Sequence, residues 1–584
     1  MKALFIFMFS LFVWSTSWAQ MDNEVVVAGK KYKKEILIQP HQVGTGVTYY
    51  AYRLPMRPLE VFFLKVDLTD PYVSMETRLA NDSIGTSLTG TYKGLETVES
   101  ISVRNSHSGH QVTGAVNGDF FNNNELKNGN MQDGVYGNSP TDFGPVLGFE
   151  KGNNPFIDNM TFKGSISWNR RTYDINSTNG YRKTDRMVLY TPLNGKSTKT
   201  NDYGREVVLE VLEREPEWTA NMNIKCKVVK NTTHGNNRIE SGTLILSGHG
   251  VAANKLELMK EGDIVTLKMA VCLDNASGIQ PYFTSMTGSN IVFLREGELC
   301  DFTSTAGSPE GLAPRTCVGY SQDKKTFYIC VVDGYPTSSG RDMPSDSKGI
   351  TVADLANIMK DAGAYTAMNF DGGGSSYMYV KPKNGPGNKP SELAYSGGRS
   401  VRNALTVCSL APDDKTESVI KLSDLPLYLN PGDRTELIAS TYNQYGNVVK
   451  YKLCDGVTYR ITGDIGTVQN GYFIAATSPA TGTIEVKYNG MKASTAVYVG
   501  VPVPSGIESM GISDHVTVTD GVVCIPLDAG TLKSVKIYSL TGQYICGAKK
   551  VNRLNVNDLQ CGVYLCEVFQ ENGMRNITKI VLPQ

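Results

Sequence analysis

The stretch Asn369-Phe370-Asp371-Gly372-Gly373-Gly374-Ser375-Ser376 sets one carboxylate and a pair of hydroxyls on a run of three glycines. Glycine takes positive φ readily and lets backbone approach a ligand with no Cβ in the way. Amides of Gly372, Gly373 and Gly374 are therefore suited to binding oxygens, with Asp371 as a nucleophile or base and Ser375 beside it. Four more stretches carry similar potential. Asn117-Gly118-Asp119-Phe120-Phe121 offers an amide, an acid and two aromatics. Pro314-Arg315-Thr316 and Gly397-Gly398-Arg399-Ser400-Val401-Arg402 supply arginines, whose planar donors bind oxyanions bidentately. Asp333-Gly334-Tyr335 adds a third acid.

Each stretch alone has a plainer explanation. Asp333-Gly334 can turn a hairpin, Asn117 and Asp119 can cap turns, and isolated arginines are commonly solvated charges. Neither Ser375 nor Ser376 lies in Gly-x-Ser-x-Gly, and the chain has no phosphate-binding Gly-x-x-x-x-Gly-Lys-Ser/Thr loop.

These groups depend on the elements that carry them. Val352, Leu355, Ala356 and Met359 fall on one helical face, Thr351 and Asp354 form a capping pair, and Gly363 is placed to end the helix. A short strand from Tyr365 to Phe370 then delivers Asp371. Val112 to Val116 reads as a strand leading into Asn117, and Phe327 to Val332 as one leading into Asp333. Val61 to Leu68 is a buried strand and Leu95 to Val103 a helix. Segments at 186–190, 206–212, 242–247 and 263–271 read as β-hairpins.

The chain has 584 residues, which predicts two to four domains. Lysine plus arginine equal aspartate plus glutamate at 57 each, so no global field favours nucleic acid or an anionic membrane. Lys2, the apolar run Ala3 to Trp14 and Ser17-Trp18-Ala19 read as a signal peptide over 1–19. No later segment approaches the roughly 18 apolar residues of a membrane span. This is the pattern of a secreted, periplasmic or cell-surface protein. The 11 cysteines include no Cys-x-x-Cys, and the six histidines no His-x-x-x-His, so metal-finger chemistry is disfavoured. Cys317 and Cys330 bracket a hairpin close enough to bridge, but buried free thiols are the plainer reading. The motifs require no cofactor and no metal, while Asp-rich loops would suit structural calcium.

A break at Ala411-Pro412-Asp413-Asp414-Lys415 closes a region spanning about 40–410. Short alternating strands over 416–500, with turns at Asn430-Pro431-Gly432-Asp433 and Asn489-Gly490, resemble a bacterial Ig-like β-sandwich. A Pro-rich linker leads to 507–584. There Val535 to Gln543, Gly562-Val563-Tyr564-Leu565 and Lys579 to Leu582 resemble the C-terminal sorting domain of type IX secretion in Bacteroidetes. That resemblance implies the export machinery as a partner. The expected fold class is an α+β catalytic domain rich in β-strands, then the small sandwich and a small all-β C-terminal domain.

The order of Asn117–Phe121, Pro314-Arg315-Thr316 with Gly319, Asn369–Ser375 and Arg399–Ala404 resembles the phosphodiester glycosidase family over about 40–410. The resemblance implies a glycoside hydrolase acting on sugar-1-phosphodiester bonds, of the GlcNAc-1-phosphodiester type, in glycans or surface polymers. The family commonly carries arginine directly after this Asp-Gly, where Tyr335 stands here. Arg341, in the following loop, is the candidate replacement.

Such a reaction expels a phosphate monoester, already a good leaving group because its second pKa is about 6. A cation for the phosphate and a carboxylate at the anomeric carbon are the main requirements. Arg315 is the first choice of cation, with Arg399 or Arg402 second. Asp371 is the favoured carboxylate, with Asp119 or Asp333 as its partner, and Asn117 and Asn369 suit sugar hydroxyls or an acetamido group. Two other readings use the same residues: a non-catalytic glycan-binding protein, and a phosphodiesterase cutting the P–O bond.

Overall fold

The computed structural model describes residues 24–27, 29–84, 94–122, 125–139, 144–213, 219–273, 282–301, 310–334, 347–381, 398–422, 426–501, 517–519, 522–525, 532–539, 544–559, 562–570 and 575–582. The signal-peptide segment, Tyr335 and Arg341 lie outside them.

Two sheets position the chemistry-bearing stretches. An eight-stranded sheet runs in the order Glu298–Leu299, Ile291–Arg295, Thr366–Asn369, Arg315–Tyr320, Thr326–Val332, Leu59–Asp67, Val47–Leu54, Glu35–Gly44. A four-stranded sheet runs Met378–Val380, Gln111–Asn117, Asn403–Ser409, Val73–Leu79. Strand side chains alternate between faces, and the consequence is visible in the core. Val318, Ile329, Val331, Phe62 and Leu64 cluster with Val116, Leu405, Val407 and Met378 of the smaller sheet. Cys317, Cys330, Val332, Val61 and Phe63, one register step away, cluster with Leu355, Ile358 and Met359 of the helix. Burial on both faces explains why these strands read as unbroken apolar runs.

That helix is Val352–Asp361. Thr351 caps it by accepting the Asp354 amide at 3.1 Å, and Gly363 leaves it at φ 100°. Val352, Leu355, Ala356 and Met359 are all fully buried, as their spacing requires. The earlier helix is Val98–Arg104, shifted toward the C-terminus from its expected bounds because Thr97 is the N-cap.

The middle of the chain builds a six-stranded sheet and a second eight-stranded sheet. In the latter, Gly204–Glu213 pairs with both Met222–Thr232 and Thr243–His249. The Met222–Thr232 strand alternates buried and exposed residues almost perfectly. Residues 419–499 form three small sheets around their own core. They join the larger body through Thr45 Oγ1 to the Tyr445 carbonyl (2.6 Å) and Gln42 Nε2 to the Gly446 carbonyl (2.7 Å). Together these form one compact unit ending at Gly500, and Val501–Gln584 forms another. The second unit has a three-stranded and a four-stranded antiparallel sheet. The molecule is thus mainly β, with multiple sheets. Among the described residues no helix is long and apolar enough to cross a membrane.

Candidate active site

The two site-bearing sheets meet at their strand ends, and backbone hydrogen bonds stitch the junction. Asp371 N donates to the Gly118 carbonyl at 3.0 Å, and Gly118 N to the Asn403 carbonyl at 3.1 Å. A Cβ on Gly118 would sit 2.6 Å from Asn403 Oδ1, so the absence of a side chain permits this approach. Gly118 is therefore a bridge between strands, with both backbone groups engaged by protein.

Asn117 is a buried clamp. Its Nδ2 donates to the Asp371 carbonyl at 2.6 Å, and its Oδ1 accepts from Thr316 Oγ1 at 2.8 Å and Tyr377 N at 3.2 Å. It is fully buried, so the geometry gives it a positioning role in place of the expected sugar contact. Asn369 is also fully buried; its Nδ2 donates to Asn290 Oδ1 at 3.1 Å and to the Phe370 carbonyl at 2.7 Å. Its Oδ1 is buried with no hydrogen-bond partner among the described residues.

The Asp371 carboxylate is held from three sides. Gly372 N donates to Oδ1 at 3.0 Å, Ser375 Oγ to Oδ2 at 2.5 Å, and Arg399 Nη2 to Oδ2 at 3.2 Å. Arg399 Nε also donates to Ser375 Oγ at 2.8 Å, closing a three-residue ring. Burial pushes the Asp371 pKa up, and the Ser375 bond and the Arg399 charge oppose that rise. Gly373, at φ 61°, donates its amide to the Pro314 carbonyl at 2.9 Å. The Gly372 amide is thus engaged within the turn and the Gly373 amide by the Pro314 carbonyl, while the Gly374 carbonyl accepts from Arg399 N at 3.2 Å.

The arginines divide by position. Arg399 keeps 55% of its side chain exposed while touching Asp371, and its guanidinium lies 5.4 Å from the Phe121 ring centre. Arg315 runs beside the glycine turn, since a Cβ on Gly372 would lie 3.8 Å from Arg315 Cδ. Its donors reach the carbonyls of Ile350 (3.2 Å) and Gly311 (2.9 Å). Arg402 is fully buried and donates to the carbonyls of Gly94 (2.7 Å) and Ser83 (3.3 Å). It is a structural arginine, contrary to the expectation that it reaches substrate. Three residues along the approach to a strand turn its side chain away from that of Arg399.

Asp119 is 2% exposed, and both its oxygens accept from Asn128: the amide N at 2.9 Å and Nδ2 at 2.7 Å. Burial raises its pKa to about 7, opposed by the Asn128 bonds and reinforced by the Asp371 charge. Asp333 follows the strand paired with that of Arg315; its Oδ1 accepts from Gly334 N at 2.8 Å and its carbonyl from Ser347 Oγ at 2.6 Å. A Cβ on Gly334 would approach Pro314 N to 3.0 Å, so the Asp333 and Asp371 turns flank the same proline.

Sequence reasoning missed Asn128, Thr316 and Asn403 as supports. Asn403 Oδ1 accepts from Asp119 N at 2.9 Å, and its Nδ2 donates to Thr287 Oγ1 at 2.8 Å. Asn403 and Thr316 stood inside stretches already singled out, but Asn128 had no local signal. Among the described residues, Cys317 and Cys330 are free thiols.

The segment that contributes Arg315, Asp371 and Arg399 also carries a family likeness. Residues 219–408 match the family model described as phosphodiester glycosidase. Asn117 and Asp119 lie upstream of that match and reach it only through the fold. Residues 519–583 match the model of a secretion system C-terminal sorting domain, so the chain is exported to the cell surface or outside. No curated protein matches the chain. Among solved structures, a hypothetical protein from Synechocystis is similar at 15% identity and a TM-score of 0.46, the match covering 62% of each chain. The catalytic domain of zebrafish N-acetylglucosamine-1-phosphodiester alpha-N-acetylglucosaminidase, auto-inhibited by its pro-peptide, is similar at 12% identity and a TM-score of 0.28. That match covers 65% of this chain and 88% of that one. Both likenesses are remote.

Proposed function

We propose that this chain is an exported glycoside hydrolase that cleaves sugar-1-phosphodiester bonds, releasing a sugar and a phosphate monoester. The observation that carries the reading is the contact of Arg399 with Asp371 on the glycine turn, within the segment that matches the phosphodiester glycosidase model. A carboxylate on the turn with a half-exposed guanidinium in contact with it suits an anomeric carbon bonded to a phosphate oxygen.

In this reading Asp371 acts on the anomeric carbon, as nucleophile or as base for water. The C1–O bond breaks, its electron pair leaves with the phosphate monoester, and water supplies the new hydroxyl. Arg399 binds the phosphate charge, with Arg315 behind the turn as the second cation. Asp119, whose pKa of about 7 suits exchange of a proton near neutrality, is the partner acid. Asn117, Gly118 and Asn403 hold these groups in register. No metal takes part in these steps, and structural calcium elsewhere is compatible with them.

The test is hydrolysis of a GlcNAc-1-phosphodiester and related sugar phosphodiesters in ¹⁸O-labelled water by the wild-type chain and Asp371→Asn. Label in the sugar, with turnover lost in the variant, supports the reading. Label in phosphate would move the chemistry to P–O cleavage, and glycan binding without turnover would leave a binding protein.

A further inference from the structure

A cleft of about 600 Å³ lies on the other eight-stranded sheet and shares no residue with the candidate active site. It is lined by Tyr181, Arg182, Lys183, Thr184, Asn201, Tyr203 and His249. Three segments meet there because their strands are neighbours: the loop entering Met187–Tyr190, the approach to Gly204–Glu213, and the end of Thr243–His249. We propose that this cleft is a binding site for an anionic saccharide chain, separate from the site of hydrolysis.

Two aromatic rings mark its lip. Tyr181 is 72% exposed and Tyr203 79% exposed. Tyrosine presents an apolar face and a polar tip, which matches a sugar ring, with its C–H face and its rim of hydroxyls. The floor is built in advance. Arg182 Nη1 donates to Ser247 Oγ at 2.9 Å, and Nη2 to Asn201 O and Oδ1 at 2.8 and 2.7 Å, so the guanidinium is already oriented. A Cβ on Gly204 would lie 2.8 Å from its Cζ, so the arginine is packed against backbone on that side.

The charge of the lining has one sign. Lys183 makes no ion pair among the described residues, and no carboxylate lines the cleft. Of the acids next in sequence, Asp185 accepts from Val251 N at 2.8 Å, and Asp202 accepts from Gly235 N at 2.7 Å with its other oxygen 4.0 Å from His234 Nδ1. Two cations with no lining acid favour a saccharide bearing phosphate or carboxylate groups. An enzyme working on long surface polymers would gain residence time from such a second contact, since the second binding event becomes intramolecular.

The test uses the whole exported chain carrying Asp371→Asn, so that binding is read without turnover, and yeast phosphomannan as the probe. The same mannan stripped of phosphate, and inorganic phosphate alone, are the controls. Calorimetry should show phosphomannan binding that weakens about tenfold in Tyr181→Ala or Tyr203→Ala. Lys183→Gln should reduce its salt dependence. Both tyrosines and Lys183 lie outside the core, so the variants fold. Undiminished binding in the Tyr181→Ala/Tyr203→Ala pair would remove the cleft as the site. Equal binding of stripped mannan would overturn the anionic preference, and full displacement by millimolar inorganic phosphate would overturn the saccharide part. None of these outcomes depends on whether the wild-type chain hydrolyses a phosphodiester.

Discussion

Arg399 touches Asp371 across 28 residues of sequence, with Nη2 3.2 Å from Oδ2. Ser375 stands between them, accepting from Arg399 Nε and donating to the same carboxylate oxygen. The geometry makes Ser375 a positioning residue for the charge pair. This ring gives the candidate site its first tests.

Asp371→Asn preserves shape and removes the charge. Turnover should fall by about 10³-fold with the fold intact, the scale expected for loss of a group acting in the transition state. Steady-state assay on a sugar phosphodiester, with a circular dichroism control, checks this.

Ser375→Ala removes a hydrogen bond that lowers the Asp371 pKa, while burial continues to raise it. If Asp371 works ionised, the acidic limb of the kcat/KM profile should move to higher pH in this variant. A limb that stays in place or moves to lower pH would separate Ser375 from the working state of Asp371.

The two arginines near the last strand should fail differently. Arg399→Ala should lower kcat/KM with little change in Tm, because its side chain is half exposed and binds at the turn. Arg402→Ala should lower Tm, at a cost of about 3 kcal/mol, because the half-buried carbonyls of Gly94 and Ser83 lose a charged donor and a fully buried side chain is removed. Thermal melts and kinetics on the two purified variants distinguish these outcomes.

A pH effect on stability should come from Glu76, away from the candidate site. Burial pushes its pKa up, but bonds from His110 and Ser74 and the Arg78 charge outweigh this and bring it to about 2. A depressed carboxylate contributes stability above its unfolded pKa of about 4.5 and loses it as pH falls through the folded value. His110 has the opposite sign: the Glu76 hydrogen bond raises its pKa, so its contribution is present below about 6.5 and lost as pH rises through the folded value. Glu76→Gln should therefore flatten the fall in Tm between pH 4.5 and 2, and a melt series across that window reads it.

Asp119 gives a further test. A carboxyl raised to about 7 binds a proton in the folded chain over a range where the unfolded chain has lost it. Stability should therefore fall as pH rises from about 4 to about 7, and Asp119→Asn should remove that slope. A melt series that keeps its slope in the variant would place the titration elsewhere.

Local chemistry was enough to read the helix Val352–Asp361, its Thr351 cap and its Gly363 stop, because periodicity and capping are properties of neighbouring residues. The acid-bearing glycine turn was legible for the same reason, and so were the β-rich class and the sorting unit. Partnership across strands was not legible. Whether Arg399 or Arg402 faces Asp371 depends on how the approach to Asn403–Ser409 enters a sheet, and a short shift reverses a side chain. Asn117 looked like a ligand contact because an amide suits sugar hydroxyls, and only the meeting of two sheets buries it. Asn128 showed nothing by itself; it matters because the chain after Asp119 folds back within nine residues and sets Asn128 against that carboxylate. The residue types that can act were determined by the sequence alone. Which of them meet, and which are consumed in holding the others, was decided by the tertiary structure, because burial and hydrogen-bond competition exist only once strands far apart in the chain are paired.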